Sequence, residues 1–160
     1  MCIIIDACCL AVVFSGKVEG HEEFKPVKDW ISDGKGKMVY GGTKYKEELK
    51  RAKRYHRIVN ELRRAGRAIE VDLTLVDHAE TEVIAKTCHT TFNDQHLLAI
   101  VIISRCRLLC TEDKAAIPFI KDNSLYPRGI RKPKIYSGRK GNARLLNDAN
   151  IATICVQAYP

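Results

Sequence analysis

Two short and continuously apolar runs place the strongest constraint on how this 160-residue chain can fold. Residues 2–5 read Cys-Ile-Ile-Ile, and residues 108–110 read Leu-Leu-Cys. Short apolar runs without polar alternation are typical of strands that are buried on both faces, as in a parallel sheet. Asp6 directly follows the first run, and Asp113 follows the second after two further residues. Sites in parallel sheets form at the carboxyl ends of the strands, so both acids are expected at that edge.

Helical patterns lie between these runs. The predicted helices span residues 7–14, 45–65, 77–87, 93–104 and 114–121, and further strands are predicted at residues 68–73 and 134–136. Residues 15–43 are polar and rich in Gly and Lys, so they are predicted to be the loosest region, with a short helix near residues 27–31 and a turn at Gly41-Gly42. Strands that alternate with helices predict an α/β fold, a three-layer α/β/α sandwich around a mainly parallel sheet.

Length and charge narrow the class of protein. The length suits one domain with a hydrophobic core, predicted here as residues 1–160 with a basic C-terminal segment at about 128–160. The 27 Lys and Arg residues outnumber the 19 Asp and Glu residues, which gives a net charge of +8. A basic chain favours a polyanionic partner, most simply RNA or DNA, although a solvated basic surface explains the charge equally well.

The amino terminus and the cysteines predict a cytoplasmic protein without a membrane partner. The first residues are apolar at once, without the basic segment that opens a signal peptide, and the longest apolar stretch, Leu97 to Ile103, is too short to span a bilayer. No pair of cysteines has the spacing of a zinc site. Their odd number and apolar surroundings predict buried free thiols at positions 2, 8, 9, 88, 106, 110 and 155.

Two further acids are expected beside Asp6 and Asp113. A helix of about 11 residues that begins near Asp94 runs about 16 Å, and a strand of about five residues before Asp113 returns a similar distance. Asp94 and Asp113 should therefore end at the same edge. In the preceding helix, Glu48 falls roughly 30° from the centre of the apolar stripe, whereas Glu47 falls roughly 130° away. Glu48 is expected to face inward, and Glu47 to face water.

Each acid on its own also has an ordinary structural interpretation. Asp94 is favourable at the positive end of its helix, Asp113 suits a turn or a helix cap, and Glu48 resembles a surface glutamate. Asp6 is harder to explain in this way, because apolar residues flank it on both sides and a buried carboxylate needs a partner or a metal ion. The convergence of all four acids on one edge favours a functional site.

This ordered set of acids resembles the pattern of the PIN-domain nucleases, and among them the small VapC-like bacterial toxins. That family opens with a hydrophobic strand that ends in an Asp, as at Asp6, and carries a Glu on a following helix, as at Glu48. A third acid begins an apolar helix, as Asp94 does, and a fourth follows a strand in a Thr-x-Asp pattern, as in Thr111 to Asp113. The resemblance covers about the first three quarters of the chain.

The resemblance implies a PIN-like fold and an Mg²⁺- or Mn²⁺-dependent endoribonuclease. Asp6, Asp94 and Asp113 would bind metal directly or through water, and Glu48 would be a ligand or a water-orienting base. Hard cations with oxygen ligands would relieve the mutual repulsion of these carboxylates. Thr111 would steady the Asp113 loop, or serve only as a strand-end hydroxyl. RNA would be the substrate, and an antitoxin protein and a second copy of the chain would be possible partners.

One departure from the family pattern keeps a second interpretation open. Family members usually have Asn, Ser or Thr within two positions of the first Asp, whereas Ala7 and Cys8 stand there in this chain. A PIN-like module that binds RNA with weak or no catalysis is therefore the alternative. Cys8 also stands where an aspartate phosphatase needs its second Asp, and Ala7 where a receiver domain would have paired acids, which argues against both classes.

Basic residues are expected to hold the RNA backbone through salt-sensitive contacts. The candidates are Lys44, Lys50, Arg51, Arg54, Arg131 and Lys134. Tyr55 and Tyr136 lie among the basic residues, where they are expected either to stack on bases or to pack internally. His96 is expected on the surface of its helix, and contact with substrate is the less common alternative for it.

Overall fold

Five parallel strands form the central layer of residues 1–156, the part of the chain that the computed structural model describes. The strands are β1 (Cys2–Ile5), β2 (Lys37–Gly41), β3 (Ala68–Val71), β4 (Leu108–Cys110) and β5 (Lys134–Tyr136). Their order across the sheet is β3-β2-β1-β4-β5, and every neighbouring pair is parallel. Ile4 of the central strand β1 pairs with Val39 on one side and with Leu109 on the other.

Helices cover both faces of this sheet. The α-helices are α1 (Leu10–Phe14), α2 (His21–Ser32), α3 (Thr43–Arg51), α4 (Lys53–Arg64), α5 (Leu73–Thr87), α6 (Gln95–Ser104), α7 (Ile117–Ile120) and α8 (Thr153–Val156). From β1 to β3 the chain moves towards one edge of the sheet, and after β3 it moves back towards the other edge. Because the crossover connections between parallel strands are right-handed, the helices that precede β3 lie on one face of the sheet and those that follow β3 lie on the other. Accordingly, α1 packs against α2 and α4, whereas α5 packs along α6, which covers β1, β2 and β3. The predicted three-layer α/β/α sandwich is confirmed.

Most predicted elements are present with small shifts at their ends. The buried strands at residues 2–5 and 108–110 and the late strand at residues 134–136 have the predicted boundaries. The helix predicted at residues 7–14 is a 3₁₀ turn, Ala7–Cys9, that continues into α1. None of the helices within residues 1–156 has both the length and the apolar character needed to cross a membrane.

Residues 15–43 are far more regular than predicted. They contain all of α2, which buries Phe24, Val27 and Ile31, and all of β2, an interior strand of the sheet. Only three consecutive apolar residues, at positions 38–40, mark β2 in the sequence, and the Gly- and Lys-rich residues before them hide the pattern. Pairing with β1 on one side and with β3 on the other holds this strand, and a local pattern does not report such pairing.

The helix predicted at residues 45–65 is divided in two. Ala52 lies between α3 and α4, and its φ of −92° and ψ of 65° are not helical. No Gly or Pro occurs between residues 43 and 65 to signal this break. Helix α3 begins directly after Gly42, whose φ is +83° and where a Cβ atom would lie 2.5 Å from Cγ1 of Val76. This glycine lets β2 turn straight into α3 at the carboxyl edge of the sheet.

The prediction that all cysteines are buried free thiols is wrong for several of them. Cys2 and Cys155 form a disulfide, with Cα atoms 6.2 Å apart, which tethers the start of β1 to α8. Among residues 1–156 the free thiols are those of Cys9, Cys106 and Cys110, which are buried, and of Cys8 and Cys88, which are exposed. Disulfides persist mainly in oxidising compartments, so the cysteines no longer support the cytoplasmic prediction.

Candidate active site

A cleft opens at the carboxyl edge of the sheet, where β1 and β4 end. The chain crosses the sheet in one direction from β1 to β3 and then returns to β4 on the other side of β1. The neighbours β1 and β4 therefore form the topological switch point, where open parallel sheets bind ligands. The cleft has a volume of about 320 Å³ and is lined by Asp6, Ala7, Cys8, Glu48, Arg51, Asp94 and Asp113. All four acids that the sequence singled out border this one cleft.

Thr111 connects the two acids that follow β1 and β4. Its buried hydroxyl donates a hydrogen bond of 2.8 Å to Oδ2 of Asp6 and accepts one of 3.1 Å from the backbone N–H of Asp113. Asp6 is only 6% exposed, and its Oδ1 accepts a longer bond of 3.4 Å from the backbone N–H of Cys8. The polar support that the side chains of Ala7 and Cys8 do not supply therefore comes from the neighbouring strand.

Asp113 has a structural role as well as a place in the cleft. Its Oδ1 accepts hydrogen bonds from the backbone N–H groups of Ala115, at 2.8 Å, and Ala116, at 3.3 Å. This is the turn geometry that the sequence left open as an ordinary explanation. Oδ2 of Asp113 has no hydrogen-bond partner among the described residues. One oxygen thus holds the loop, and the other remains for a ligand.

Asp94 stands at the start of α6 but does not cap it. Its side chain accepts no capping hydrogen bond from the helix, so the favourable interaction with the helix dipole is the ordinary explanation that remains for this acid. The pKa of Asp94 is raised, first by burial and then by the negative charges of Asp6 and Asp113, while His96 acts in the opposite direction. The raised pKa thus reflects mainly the burial of Asp94 and, after that, the nearness of two further carboxylates.

Glu48 faces the cleft and contacts a buried histidine. Glu48 is half-buried and Glu47 is exposed, so the predicted difference between them is confirmed. Nε2 of His96 lies 3.3 Å from Oε2 of Glu48, and this contact is the main reason why the pKa of Glu48 is lowered. The contact is an ion-pair distance without hydrogen-bond geometry, and neither ring nitrogen of His96 has a hydrogen-bond partner within residues 1–156.

The prediction of a surface position for His96 is wrong. His96 is 1% exposed and lies between α6 and α3, with its ring centroid 6.4 Å from that of Tyr45. The phenol of Tyr45 donates a bond of 2.6 Å to the carbonyl of Ile5, next to the first acid of the site. The nearly all-apolar composition of α6 was the signal for burial of this histidine. Glu80 of α5 was also not anticipated, and its pKa is raised chiefly by burial.

The four carboxylates suit a hard divalent cation in kind, since Mg²⁺ and Mn²⁺ prefer oxygen ligands. Burial and the charges of Asp6 and Asp113 both disfavour the charged form of Asp94, and a cation would offset both effects. Nevertheless, no three His, Cys, Asp or Glu side chains within residues 1–156 are already arranged to hold a metal ion. A bound cation would have to draw these carboxylates closer together.

Four of the predicted RNA-binding cations lie on the helices beside the cleft. Arg51 lines it, and the ammonium group of Lys44 donates a hydrogen bond to the carbonyl of Asn93, directly before Asp94. Lys44 therefore also positions the loop that carries Asp94. Lys50 and Arg54 are exposed on α3 and α4 and do not line the cleft.

The other two predicted cations, Arg131 and Lys134, lie at the opposite end of the sheet, because they precede or begin β5. Tyr136 is buried and donates a hydrogen bond of 2.7 Å to the carbonyl of Glu23, so it packs internally rather than stacking on bases. Tyr55 is half-buried, and the guanidinium carbon of Arg54 lies 5.9 Å from its ring centroid. The predicted basic residues therefore do not form one surface.

Cys8 lines the cleft, yet its environment is wrong for a nucleophile. The pKa of its thiol is raised, first by the hydrogen bond with Cys9 and then by burial and by the charge of Asp6. The two sulfur atoms are 3.9 Å apart. A nucleophilic cysteine needs a lowered pKa, so this position does not support thiol catalysis.

Comparisons with models of known protein families, with curated proteins and with solved structures found no match. What the cleft can do is therefore inferred from its own side chains and from the order of its acids along the chain. Those side chains supply four carboxylates, one arginine and a buried histidine contact.

Proposed function

We propose that this protein is a divalent-metal-dependent endoribonuclease of the PIN type. The observation that carries the proposal is one cleft, at the switch point of a parallel sheet, bordered by Asp6, Glu48, Asp94 and Asp113. These are the acids, in the same order, through which the sequence resembles the PIN-domain nucleases. Arg51 beside them and the net charge of +8 favour a polyanionic substrate.

The surroundings of the four acids suggest a separate role for each in binding metal or orienting water. Asp6, Asp94 and Asp113 would hold Mg²⁺ or Mn²⁺, with Thr111 keeping the first and last of them in position. When bound, such an ion lowers the pKa of a coordinated water and stabilises negative charge on the phosphate. Glu48 has a lowered pKa and is therefore a weak base, which favours binding metal or orienting water over accepting a proton.

Cleavage of a labelled RNA, with Mg²⁺, with Mn²⁺ and with a chelator, tests the proposal. Wild-type protein is expected to cleave only when a divalent cation is present. Asp94→Asn should retain the fold, seen by circular dichroism, but lose cleavage. Asp33→Asn changes an exposed acid at the far end of α2 and serves as the matched control, which should cleave normally. Unchanged cleavage by Asp94→Asn in Mn²⁺ would reject the assignment.

The second candidate function is a PIN-like module that binds RNA with little or no catalysis. It is favoured by the absence of a ready-made metal site among the described residues. The same assay separates the two candidates when RNA binding is measured in parallel. Binding without cleavage in either cation would select the module over the enzyme.

The biological setting is part of the proposal and comes from the resemblance alone. A toxin of a toxin–antitoxin or defence system would act in the cytoplasm, and its protein partners would be an antitoxin and a second copy of itself. Growth arrest on expression of the wild type, but not of Asp94→Asn, would support a toxin. A monomer mass at all concentrations in light scattering would argue against the homodimer.

A further inference from the structure

A groove runs along the amino edge of β4 and β5, at the end of the sheet opposite the acidic cleft. Its larger part has a volume of about 560 Å³ and is formed mainly by residues 126–134, which lead into β5. A second part of about 200 Å³ shares Arg107 and residues 129–131 with the first and continues to residues 151–153. A third recess shares Arg105 with the second. Because neighbouring parts share walls, we treat them as one feature, the amino-edge groove.

Six cations and no carboxylate line the amino-edge groove within the described part of the chain. The cations are Arg105, Arg107, Arg128, Arg131, Lys132 and Lys134. None of them forms an ion pair with an Asp or Glu side chain of residues 1–156, whereas Lys46 and Arg63 pair with Glu70 elsewhere. Lys132 donates a hydrogen bond of 3.1 Å to the carbonyl of Lys121 and interacts with the charge of Asp122. Like charges around one concave surface repel one another, so an anionic ligand would lower the free energy of this groove.

Arg105 has a backbone conformation that glycine would adopt more easily. Its φ of 55° is the only positive value at a non-glycine residue within residues 1–156. It ends α6, where Gly is usual because a side chain in this conformation is strained. A cation at the carboxyl end of a helix interacts favourably with the helix dipole, which explains one cation but not the five that end no helix. A shared ligand explains all six.

Fixed contacts hold the walls of the groove. The backbone N–H of Lys134 donates a hydrogen bond of 2.8 Å to the carbonyl of Arg107, which joins the start of β5 to the loop before β4. The disulfide between Cys2 and Cys155 tethers α8, which begins at Thr153, to the start of β1. The backbone at Arg107 and Lys134 is therefore held in place, which reduces the entropy that a ligand must overcome on binding there.

We propose that the amino-edge groove binds the phosphodiester backbone of single-stranded RNA at a second site, remote from the acidic cleft. Four of the six cations are arginines, whose planar guanidinium groups bind phosphate oxygens through paired hydrogen bonds. A strand enters a concave groove, whereas an anionic membrane surface does not. The choice of RNA among polyanions rests on the proposed function, in which RNA is the substrate.

Fluorescence anisotropy with an unstructured labelled RNA tests the groove, with a chelator present so that cleavage cannot interfere. The groove variant combines Arg105→Gly, Arg107→Gln and Arg131→Gln. The control combines Lys17→Gln, Lys35→Gln and Lys86→Gln, which removes the same charge from exposed, scattered positions. The groove variant should bind the RNA at least about tenfold more weakly than wild type. The slope of log affinity against log salt concentration should also be shallower by about two, because each of the three removed phosphate contacts contributes about 0.7 to that slope for a single strand.

Arg105→Gly alone separates binding from folding. Because glycine relieves the backbone strain, this variant should melt at or above the wild-type temperature while binding RNA several-fold more weakly. If the groove and control variants lost the same RNA affinity, net charge alone would explain the loss and the proposal would be overturned. An RNA affinity that does not change with salt concentration would also overturn it. Groove-dependent binding to anionic lipid vesicles but not to RNA would also overturn it.

Failure of the groove and failure of the proposed nuclease have different signatures. Loss of cleavage in Asp94→Asn with normal RNA affinity in the chelator supports the acidic cleft and does not involve the groove. Normal RNA affinity in the groove variant overturns the groove, whatever the cleavage assay gives. A wild-type protein that never cleaves, but whose groove variant binds RNA poorly, retains the groove and rejects the nuclease.

Discussion

The hydroxyl of Thr111 donates a hydrogen bond of 2.8 Å to Oδ2 of Asp6, across 105 positions of sequence. Both side chains are buried, and the same hydroxyl accepts a bond from the N–H of Asp113. This one group thus joins the ends of β1 and β4 at the switch point of the sheet. It also keeps a buried carboxylate hydrogen-bonded without neutralising its charge, as a site for a cation requires.

Thr111→Val should destabilise the fold by about 1–3 kcal/mol, because it leaves a buried carboxylate oxygen without its donor. Thr111→Ser retains the hydroxyl and should lose less. Urea unfolding in the absence of divalent cations measures both variants. Equal stability of the Val and Ser variants would show that the hydrogen bond contributes little and that Thr111 is only a strand-end residue.

Glu48 and Glu47 form a matched pair for testing which acids belong to the cleft. Glu48→Gln should reduce cleavage by at least about tenfold, because even groups that only support metal ligands account for roughly ten- to a hundredfold. Glu47→Gln makes the same chemical change on the exposed side of α3 and should leave cleavage unchanged. Initial rates at saturating Mn²⁺ decide the matter. Similar losses in both variants would contradict the inward placement of Glu48.

Asp94 should make the wild-type protein less stable as the pH rises. The pKa of Asp94 in the folded state lies above the ordinary value of 3.8. Between 3.8 and the folded pKa, the native state therefore binds more protons than the unfolded state does. The free energy of unfolding therefore falls as the pH rises from that value through the folded pKa. Asp94→Asn should remove this decline and be at least as stable as wild type at neutral pH. Unfolding curves from acidic to neutral pH, without divalent cations, measure this decline. A variant clearly less stable than wild type at neutral pH would show that neither burial nor the neighbouring carboxylates disfavour the charged form of Asp94.

The sequence predicted those parts of the fold and site that local patterns encode. The apolar run before Asp6 and the nearly all-apolar helix after Asp94 are visible without any tertiary information, and helical spacing alone separated Glu48 from Glu47. Strand β2 was not predicted, because its formation depends on pairing with both neighbouring strands. The helix break at Ala52 was not predicted, because no Gly or Pro marks it in the sequence. Local patterns encode periodicity, whereas these two features arise from tertiary packing.

Contacts between residues far apart in the chain were also not predictable from the sequence. Cys8 was interpreted as a missing support for Asp6, whereas that support comes from Thr111, which directly follows β4. The disulfide between Cys2 and Cys155 joins the two ends of the described chain, and no cysteine spacing predicts it. A departure from a family motif therefore says little about a site until the neighbours in space are known.

His96 should hold the pKa of Glu48 down through the contact of 3.3 Å between their side chains. His96→Phe preserves an aromatic ring beside Tyr45 but removes both ring nitrogens, so the pKa of Glu48 should rise. An NMR titration of the Glu48 side-chain carboxyl, without divalent cations, measures this directly. The contribution of Glu48 to stability is present above its unfolded pKa and is lost as the pH falls through its folded pKa, so the variant should lose stability at neutral pH more than at acidic pH. His56→Phe, on α4 beside Asn60, is the control. An unchanged Glu48 titration in His96→Phe would show that Lys44 and Arg51, rather than the histidine, set its charge.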